Sequence, residues 1–167
     1  MEHVVNVNYR GQMNKKAVIL QSMKFENSKL HNKPQQLVVK DSQGTIIFFN
    51  SGKFRVMGCL DPLDAAFLAL KYTLQIDEDD LPELKTQSYT SRFNLGYQIN
   101  LQKLSAALKD DILYEPELFC ALRMCKYRPL SVNVFSSGSI VVCRLKEPED
   151  MYPIISEIDN LCKKLLL

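Results

Sequence analysis

Two histidines, His3 and His31, and five cysteines, Cys59, Cys120, Cys125, Cys143 and Cys162, are the side chains here able to hold a metal or attack a substrate. Their spacing supports neither. The cysteines are odd in number and contain no Cys-x-x-Cys pair, so they read as reduced, intracellular thiols without zinc. Neither histidine stands in an arrangement that would activate a Ser or Cys nucleophile. A Gly-rich phosphate loop and a His-Glu-x-x-His helix are both missing, and the acidic run from Asp77 to Asp80 lacks the glycine and the ligand spacing of a calcium loop. The inventory speaks against an enzyme and against a resident cofactor.

What remains is the chemistry of stacking and charge. Phe49 opens the segment Phe49-Asn50-Ser51-Gly52, and Phe135 opens Phe135-Ser136-Ser137-Gly138. By pattern alone each ring fits a sheet core at least as well as a surface. Phe119 is harder to bury, because it follows Glu115-Pro116-Glu117-Leu118 in a loop. Lys33, Lys53 and Arg55 taken singly read as solvated charges, and Met57 and Cys143 as packing residues. His3 and His31 read as inert surface residues.

The elements that position these residues come in two copies. An offset of 86 residues takes Phe49 to Phe135, Asn8 to Asn94, Asn14 to Asn100, Pro62 to Pro148 and Asp64 to Asp150 without a gap. A period this long is no solenoid repeat and points to one domain, residues 1–167, with internal two-fold pseudo-symmetry. Repeat 1 covers about 1–80 and repeat 2 about 87–167. Each copy opens on an alternating strand, residues 4–8 and 89–93. A helix capped by Asn14 or Asn100 follows, with apolar spacing at Ala17, Val18 and Leu20 or Leu101, Leu104 and Leu108. Then come a proline loop, Lys33-Pro34 or Glu115-Pro116, and several strands. The clearest are 45–50 and 54–59, and 130–135 and 139–145, turning at Ser51-Gly52 and Ser137-Gly138.

Each copy closes on a helix that Asp61, Pro62 and Asp64, or Glu147, Pro148 and Asp150, start well. Ala65, Phe67, Leu68 and Leu70 supply its apolar side in the first copy, and Ile154, Ile155, Ile158, Leu161 and Leu165 in the second. Pro153 is tolerable because it still lies near the first turn. The stretch from Asp77 to Glu83 reads as a solvated linker. Hairpin strands flanked by helices predict an α+β antiparallel sheet with helices on one face and the other face open for binding.

The chain has 167 residues, 46% hydrophobic and 24% charged, which is ordinary for a protein with one core. No apolar run is long enough to span a bilayer, and Met1-Glu2-His3 does not open a signal peptide. A net charge of +2 gives only weak support for a phosphate-gripping basic face.

Several segments resemble the TATA-box-binding protein family. The stretch from Tyr114 through Glu115, Pro116, Glu117 and Leu118 to Phe119 is identical to one in that family's second repeat. Residues 135–142 and 46–53 are similar to its two Phe-x-Ser-Gly-Lys hairpins, with Gly58 where the family also has Gly. Val7-Asn8 and the helix expected from Met13 to Leu20 resemble its first strand and helix. The resemblance runs through nearly the whole chain in the family's order.

It implies a saddle of two pseudo-symmetric repeats, a curved antiparallel sheet with helices on the convex face, that binds the minor groove of promoter DNA. Phenylalanines would wedge between base steps there, and the family is the type example of such binding. By this resemblance the DNA-binding residues are Phe49, Phe119, Phe135, Lys53, Arg55, Met57, Arg123, Val141, Cys143 and Lys146, and Glu115, Glu117 and Leu118 would bind a transcription factor IIB-like protein. The partners would be double-stranded A·T-rich promoter DNA, that factor and the RNA polymerase initiation machinery, with no membrane. The site of action would be the nucleus or a cytoplasmic site of transcription. A compact, drifted member of this kind would suit a virus or a protist.

The departures leave a second reading open. The family's two central Asn positions fall on Glu2 and Ser88, two groove-facing Thr positions fall on Met57 and Cys143, and the partner position of Phe49 falls on Lys33. A carboxylate would repel phosphates or acceptor-rich A·T edges. The alternative is a protein-interaction module in a transcription complex, with weak or no intrinsic DNA binding.

Overall fold

The computed structural model describes residues 2–13, 20, 23–33, 35–76 and 82–166. The expected helix over Asn14, Ala17 and Val18, and Asp77 to Asp80, therefore lie outside the described residues. The chain divides into two compact units, Asn6–Gln87 and Met1–Val5 with Ser88–Leu167. Among the described residues, no helix is long and apolar enough to cross a membrane.

The first unit carries strands β1 (Glu2–Gln12, from Asn6 onward), β2 (Ser28–Asn32), β3 (Gln35–Lys40), β4 (Thr45–Phe49) and β5 (Lys53–Met57), then helix α1 (Pro62–Thr73). Its strands run antiparallel in the order β2-β3-β4-β5-β1. Side-chain alternation buries Val7, Tyr9, Leu37, Val39, Ile46, Phe48, Phe54 and Val56 on one face. Ala65, Leu68, Ala69 and Tyr72 of α1 are buried with them. The opposite face keeps Thr45, Ile47, Phe49, Lys53, Arg55 and Met57 half-buried or exposed.

Helix α1 starts as its sequence dictates. Asp61 accepts a hydrogen bond from the Leu63 amide at 2.7 Å, Pro62 takes the first turn, and Lys71 lies in the last turn. Phe67 does not face the core. The buried positions 65, 68, 69 and 72 follow one helical stripe, which turns Phe67 outward at 65% exposure.

The second unit repeats the plan with β6 (Glu83–Asn94, whose residues 83–87 belong to the first unit), α2 (Leu101–Leu108), β7 (Ile112–Leu113), β8 (Ala121–Met124), β9 (Ser131–Phe135), β10 (Ser139–Leu145) and α3 (Tyr152–Leu166). The order is β6-β10-β9-β8-β7, again antiparallel. Leu122, Met124, Val132, Val134, Ile140, Val142 and Leu145 form one core with Leu104, Ile154, Ile155 and Ile158. Asn100 caps α2 by accepting from the Lys103 amide at 3.0 Å. The stretch Pro148–Met151 is a 3-10 turn, so the α-helix proper begins four residues later than Pro148 predicts. Pro153 stands second in it, where no intrahelical partner is missed. Both units thus have the α+β antiparallel build expected from the sequence.

The strands that were expected keep the 86-residue offset. Thr45–Phe49 maps onto Ser131–Phe135, and Lys53–Met57 onto the start of Ser139–Leu145. Asn50, Cys59 and Leu130, expected in strands, fall just outside them. Glu83, expected in a linker, opens β6.

One tertiary contact is also carried by the offset, with its charges changed. Asp41 accepts from Lys71 Nζ at 2.6 Å and from the Tyr72 hydroxyl at 2.8 Å. The equivalent positions hold Tyr127 and Glu157, where Glu157 accepts from the Tyr127 hydroxyl at 2.6 Å and from Lys126. Each pair ties a loop to the closing helix. The donors hold both carboxyls below their usual range, Lys71 being the main cause for Asp41 and Lys126 for Glu157.

Candidate nucleic-acid interface

The open face of the second unit collects the rings singled out in the sequence. Phe135 ends β9, and its register partner on β8 is Ala121, a buried small residue that leaves room beside it. Phe119 lies in the loop between β7 and β8. A backbone turn sets it there: the Glu115 carbonyl accepts from the amides of Leu118 at 3.0 Å and Phe119 at 2.9 Å. The two rings meet edge to face, with centroids 6.2 Å apart and planes at 70°. The Arg123 guanidinium stands over the Phe119 ring, 6.0 Å from its centroid. Phe119 remains 42% exposed. An apolar pair held at a surface beside a guanidinium can stack on a flat partner while the cation meets an anion.

Around them the open face carries Arg123 on β8, and Val141 and Cys143 on β10, both half-buried. Lys146 is exposed just beyond β10. Glu115 and Glu117 are exposed in the loop, and Leu118 is 81% exposed at its tip. An apolar side chain so fully solvated, next in sequence to Glu117, takes no part in packing.

The first unit presents a different site. Phe49 ends β4 half-buried, with the Arg55 guanidinium 5.8 Å from its centroid. Across the strands it faces Gln36. Lys33 is an exposed residue of the tight connection between β2 and β3, whose last pair is Asn32 with Gln35. In the second unit the chain between Leu113 and Ala121 is a full loop, long enough to lay Phe119 beside Phe135. Only two residues separate Asn32 from Gln35, and among the described residues no ring pairs with Phe49. Met57 is half-buried at the end of β5, paired with Asn8 and Thr45. Lys53 and Arg55 are exposed on the same strand.

Sequence reasoning missed several members of these faces. Arg10, Gln12 and Lys85 join Phe49, Lys53 and Arg55 around an open hollow of about 780 Å³ that also holds Glu83. Lys85 pairs with Glu83 at 3.0 Å, which leaves Arg10, Lys53 and Arg55 as the hollow's uncompensated cations among the described residues. Alternation beyond Asn8 was the available signal: Arg10 and Gln12 continue the register of Asn6 and Asn8. On β6, Arg92 and Asn94 both donate to Ser139 Oγ, at 3.0 and 3.1 Å.

The five thiols sit in different surroundings, Cys120 exposed and Cys125 and Cys143 half-buried. Cys59 and Cys162 are buried, and burial pushes both above the usual thiol range. Among the described residues, no group of three His, Cys, Asp or Glu side chains could hold a metal ion.

Two α+β units, each with an open sheet face bearing phenylalanines and, among the described residues, arginines outside any ion pair, define the class to which this chain belongs. Comparison with known proteins narrows this class. The family described as "Transcription factor TFIID (or TATA-binding protein, TBP)" matches residues 83–165. A TATA-box-binding protein of Methanococcus aeolicus is 32% identical over 133 residues, covering 76% of this chain and 72% of the relative. That of Dictyostelium discoideum is 27% identical over 160 residues, covering 93% and 78%. The solved structure of Methanococcus jannaschii TBP superposes with a TM-score of 0.77 at 25% identity, covering 98% of both chains. The chain belongs to the TATA-box-binding protein family and shares its fold, and its family consists of transcription factors, not enzymes.

Proposed function

We propose that this chain is a divergent transcription initiation factor that binds A·T-rich promoter DNA in the minor groove through the open sheet faces of its units. Phe119 and Phe135 enter one base step as a pair and kink it. Arg123, Lys146, Lys53 and Arg55 meet phosphates, while Met57, Val141 and Cys143 lie against the groove floor. Glu115, Glu117 and Leu118 capture a factor IIB-like protein, which brings in the RNA polymerase machinery. The chain would act wherever its genes are transcribed. The observation that carries this reading is the edge-to-face pair of exposed Phe119 and half-buried Phe135, with Arg123 over the Phe119 ring. Apolar wedges of this kind unstack a step, and the bent duplex then covers more protein. The test is binding and bending of a TATA-containing duplex by the wild-type chain and by Phe135→Ala. Binding with a bend that Phe135→Ala removes is the expected result, and a bend that survives in Phe135→Ala refutes wedge insertion.

A second reading draws support from the first unit. Phe49 has no partner ring across the Lys33 hairpin, and the family's Asn positions hold Glu2 and Ser88. A protein-interaction module with weak or no DNA binding would tolerate all three. Salt dependence separates the readings, because a phosphate-gripping face loses affinity steeply as salt rises. No measurable binding at about 50 mM salt would favour the protein module.

A further inference from the structure

Arg144 occupies a position that its counterpart in the other repeat leaves to glycine. Gly58 follows β5 with φ +91°, and the 86-residue offset takes it to Arg144, which keeps a left-handed φ of +70°. A long side chain at such a φ is uncommon and strained, and residues of this kind cluster at functional sites. Arg144 is also the extra residue of a bulge. Cys143 pairs with Thr90 and Leu145 with Tyr89, so no residue of β6 stands opposite Arg144. Bulges re-aim side chains beside binding sites.

The re-aimed guanidinium donates to the Pro129 carbonyl at 3.4 Å. With Arg123 and Arg128 it lines an open hollow of about 520 Å³, which also presents Ser131 and Cys125. Among the described residues, no Asp or Glu lines that hollow. Among the described residues none of the three arginines is in an ion pair, since every pair found is made by a lysine. Three guanidinium forks around a hollow without a carboxylate suit phosphate oxygens, which Arg meets in bidentate fashion.

We propose that Arg123, Arg128 and Arg144 form a phosphate-binding subsite that grips one DNA backbone beside the step entered by Phe119 and Phe135. The assignment rests on the minor-groove reading above. Arg123 links the two places, because its guanidinium stands over Phe119 and also lines the hollow. A phosphodiester held there would adjoin the wedge. An acidic protein segment would satisfy the same charges, but nothing joins such a segment to the aromatic pair, so DNA is the assigned ligand.

The test uses the full chain and a TATA-containing duplex, titrated across salt. Arg144→Gly restores the residue type of the first repeat and relieves the left-handed strain, so its melting temperature should not fall. It should weaken binding about tenfold at low salt. It should also lower the slope of log affinity against log salt by about one. The loss should be equal on duplexes of different sequence, as backbone contacts carry no sequence information. Arg128→Ala should do the same. A duplex with one neutral methylphosphonate flanking the kinked step should weaken the wild type and leave Arg144→Gly unchanged. Wild-type slopes in both variants would overturn the subsite while the minor-groove reading stands. Unchanged DNA binding with weakened capture of the factor IIB-like partner would reassign the hollow to an acidic protein. A wild type that binds no duplex would sink the underlying reading and the subsite together.

Discussion

Removing one ring of the Phe119–Phe135 pair should cost DNA binding far more than it costs the fold. The rings touch edge to face at 6.2 Å, a contact worth about 0.5–1.5 kcal/mol in the free protein. Neither belongs to the buried core, and Phe119 is 42% exposed, so the loss of packing is well short of the about 3–5 kcal/mol of a core Phe→Ala change. A fall of about 1–2 kcal/mol in stability corresponds to roughly 2–8 °C in melting temperature at this chain length. In the proposed DNA complex each ring would face a base, and stacking of that kind contributes about 1–3 kcal/mol per base. Phe119→Ala or Phe135→Ala should therefore raise the dissociation constant by about 5- to 150-fold. Because each ring holds the other, the double variant should lose less than the sum, by roughly the pair energy of 0.5–1.5 kcal/mol. Fluorescence anisotropy with a short TATA-containing duplex measures the cycle, and thermal melts run beside it. Two results refute the reasoning. Either both single variants bind within about twofold of wild type, or their affinity loss tracks a collapse of the melt, which would make the rings core residues.

The acid response should centre on the loop-to-helix ties. Asp41 has its carboxyl held low by Lys71 and Tyr72, so its contribution is full above its unfolded value near 3.8 and is lost as pH falls below it. Asp41→Asn should destabilise by about 1–2 kcal/mol at neutral pH, the exposed Lys71 discounting the larger figure. The gap to wild type should begin to narrow below about pH 5 and keep narrowing as pH falls well below 3.8 in thermal melts, and a constant gap would rule out the ion pair as its source. Gly138→Ala should be severe: φ is +82° and an added Cβ would stand 2.1 Å from the Tyr97 carbonyl oxygen. About 2–4 kcal/mol is at stake, seen as a melt lowered by about 4–16 °C, and an unchanged melt would contradict the turn geometry. Glu115→Arg with Glu117→Arg should abolish capture of a factor IIB-like protein while leaving the melt unchanged. Retained capture in a pull-down would remove the partner role from this loop.

Much of this architecture was legible from one number, the 86-residue offset, because repeats fold by the same local rules. The hairpins at Gly52 and Gly138 and the start of α1 at Asp61 were carried by turn and cap chemistry that acts within a few residues. The long strands β1 and β6 were under-read, since Arg10, Gln12 and Arg92 break the apolar signal while keeping the strand's two-residue period. Phe67 looked apolar enough for the core, but the stripe at Ala65, Leu68, Ala69 and Tyr72 fixes the helix rotation against it. The contrast between the Lys33 hairpin and the Phe119 loop depends on where pairing begins. It could not be read from a gapless alignment, in which Lys33 and Phe119 occupy the same place. Arg144 was invisible for a related reason: a bulge is a register event between two strands, and only the pairing of β10 with β6 reveals it.

We infer that the aromatic pair of the second unit kinks promoter DNA. It is tested most directly by measuring the bend in a TATA-containing duplex on adding the wild-type chain, by circular-permutation gel shift, with and without a factor IIB-like protein. A bend centred on one flank of the site that vanishes in Phe135→Ala is the expected result. Binding to a straight duplex, or no binding in either condition, would contradict it.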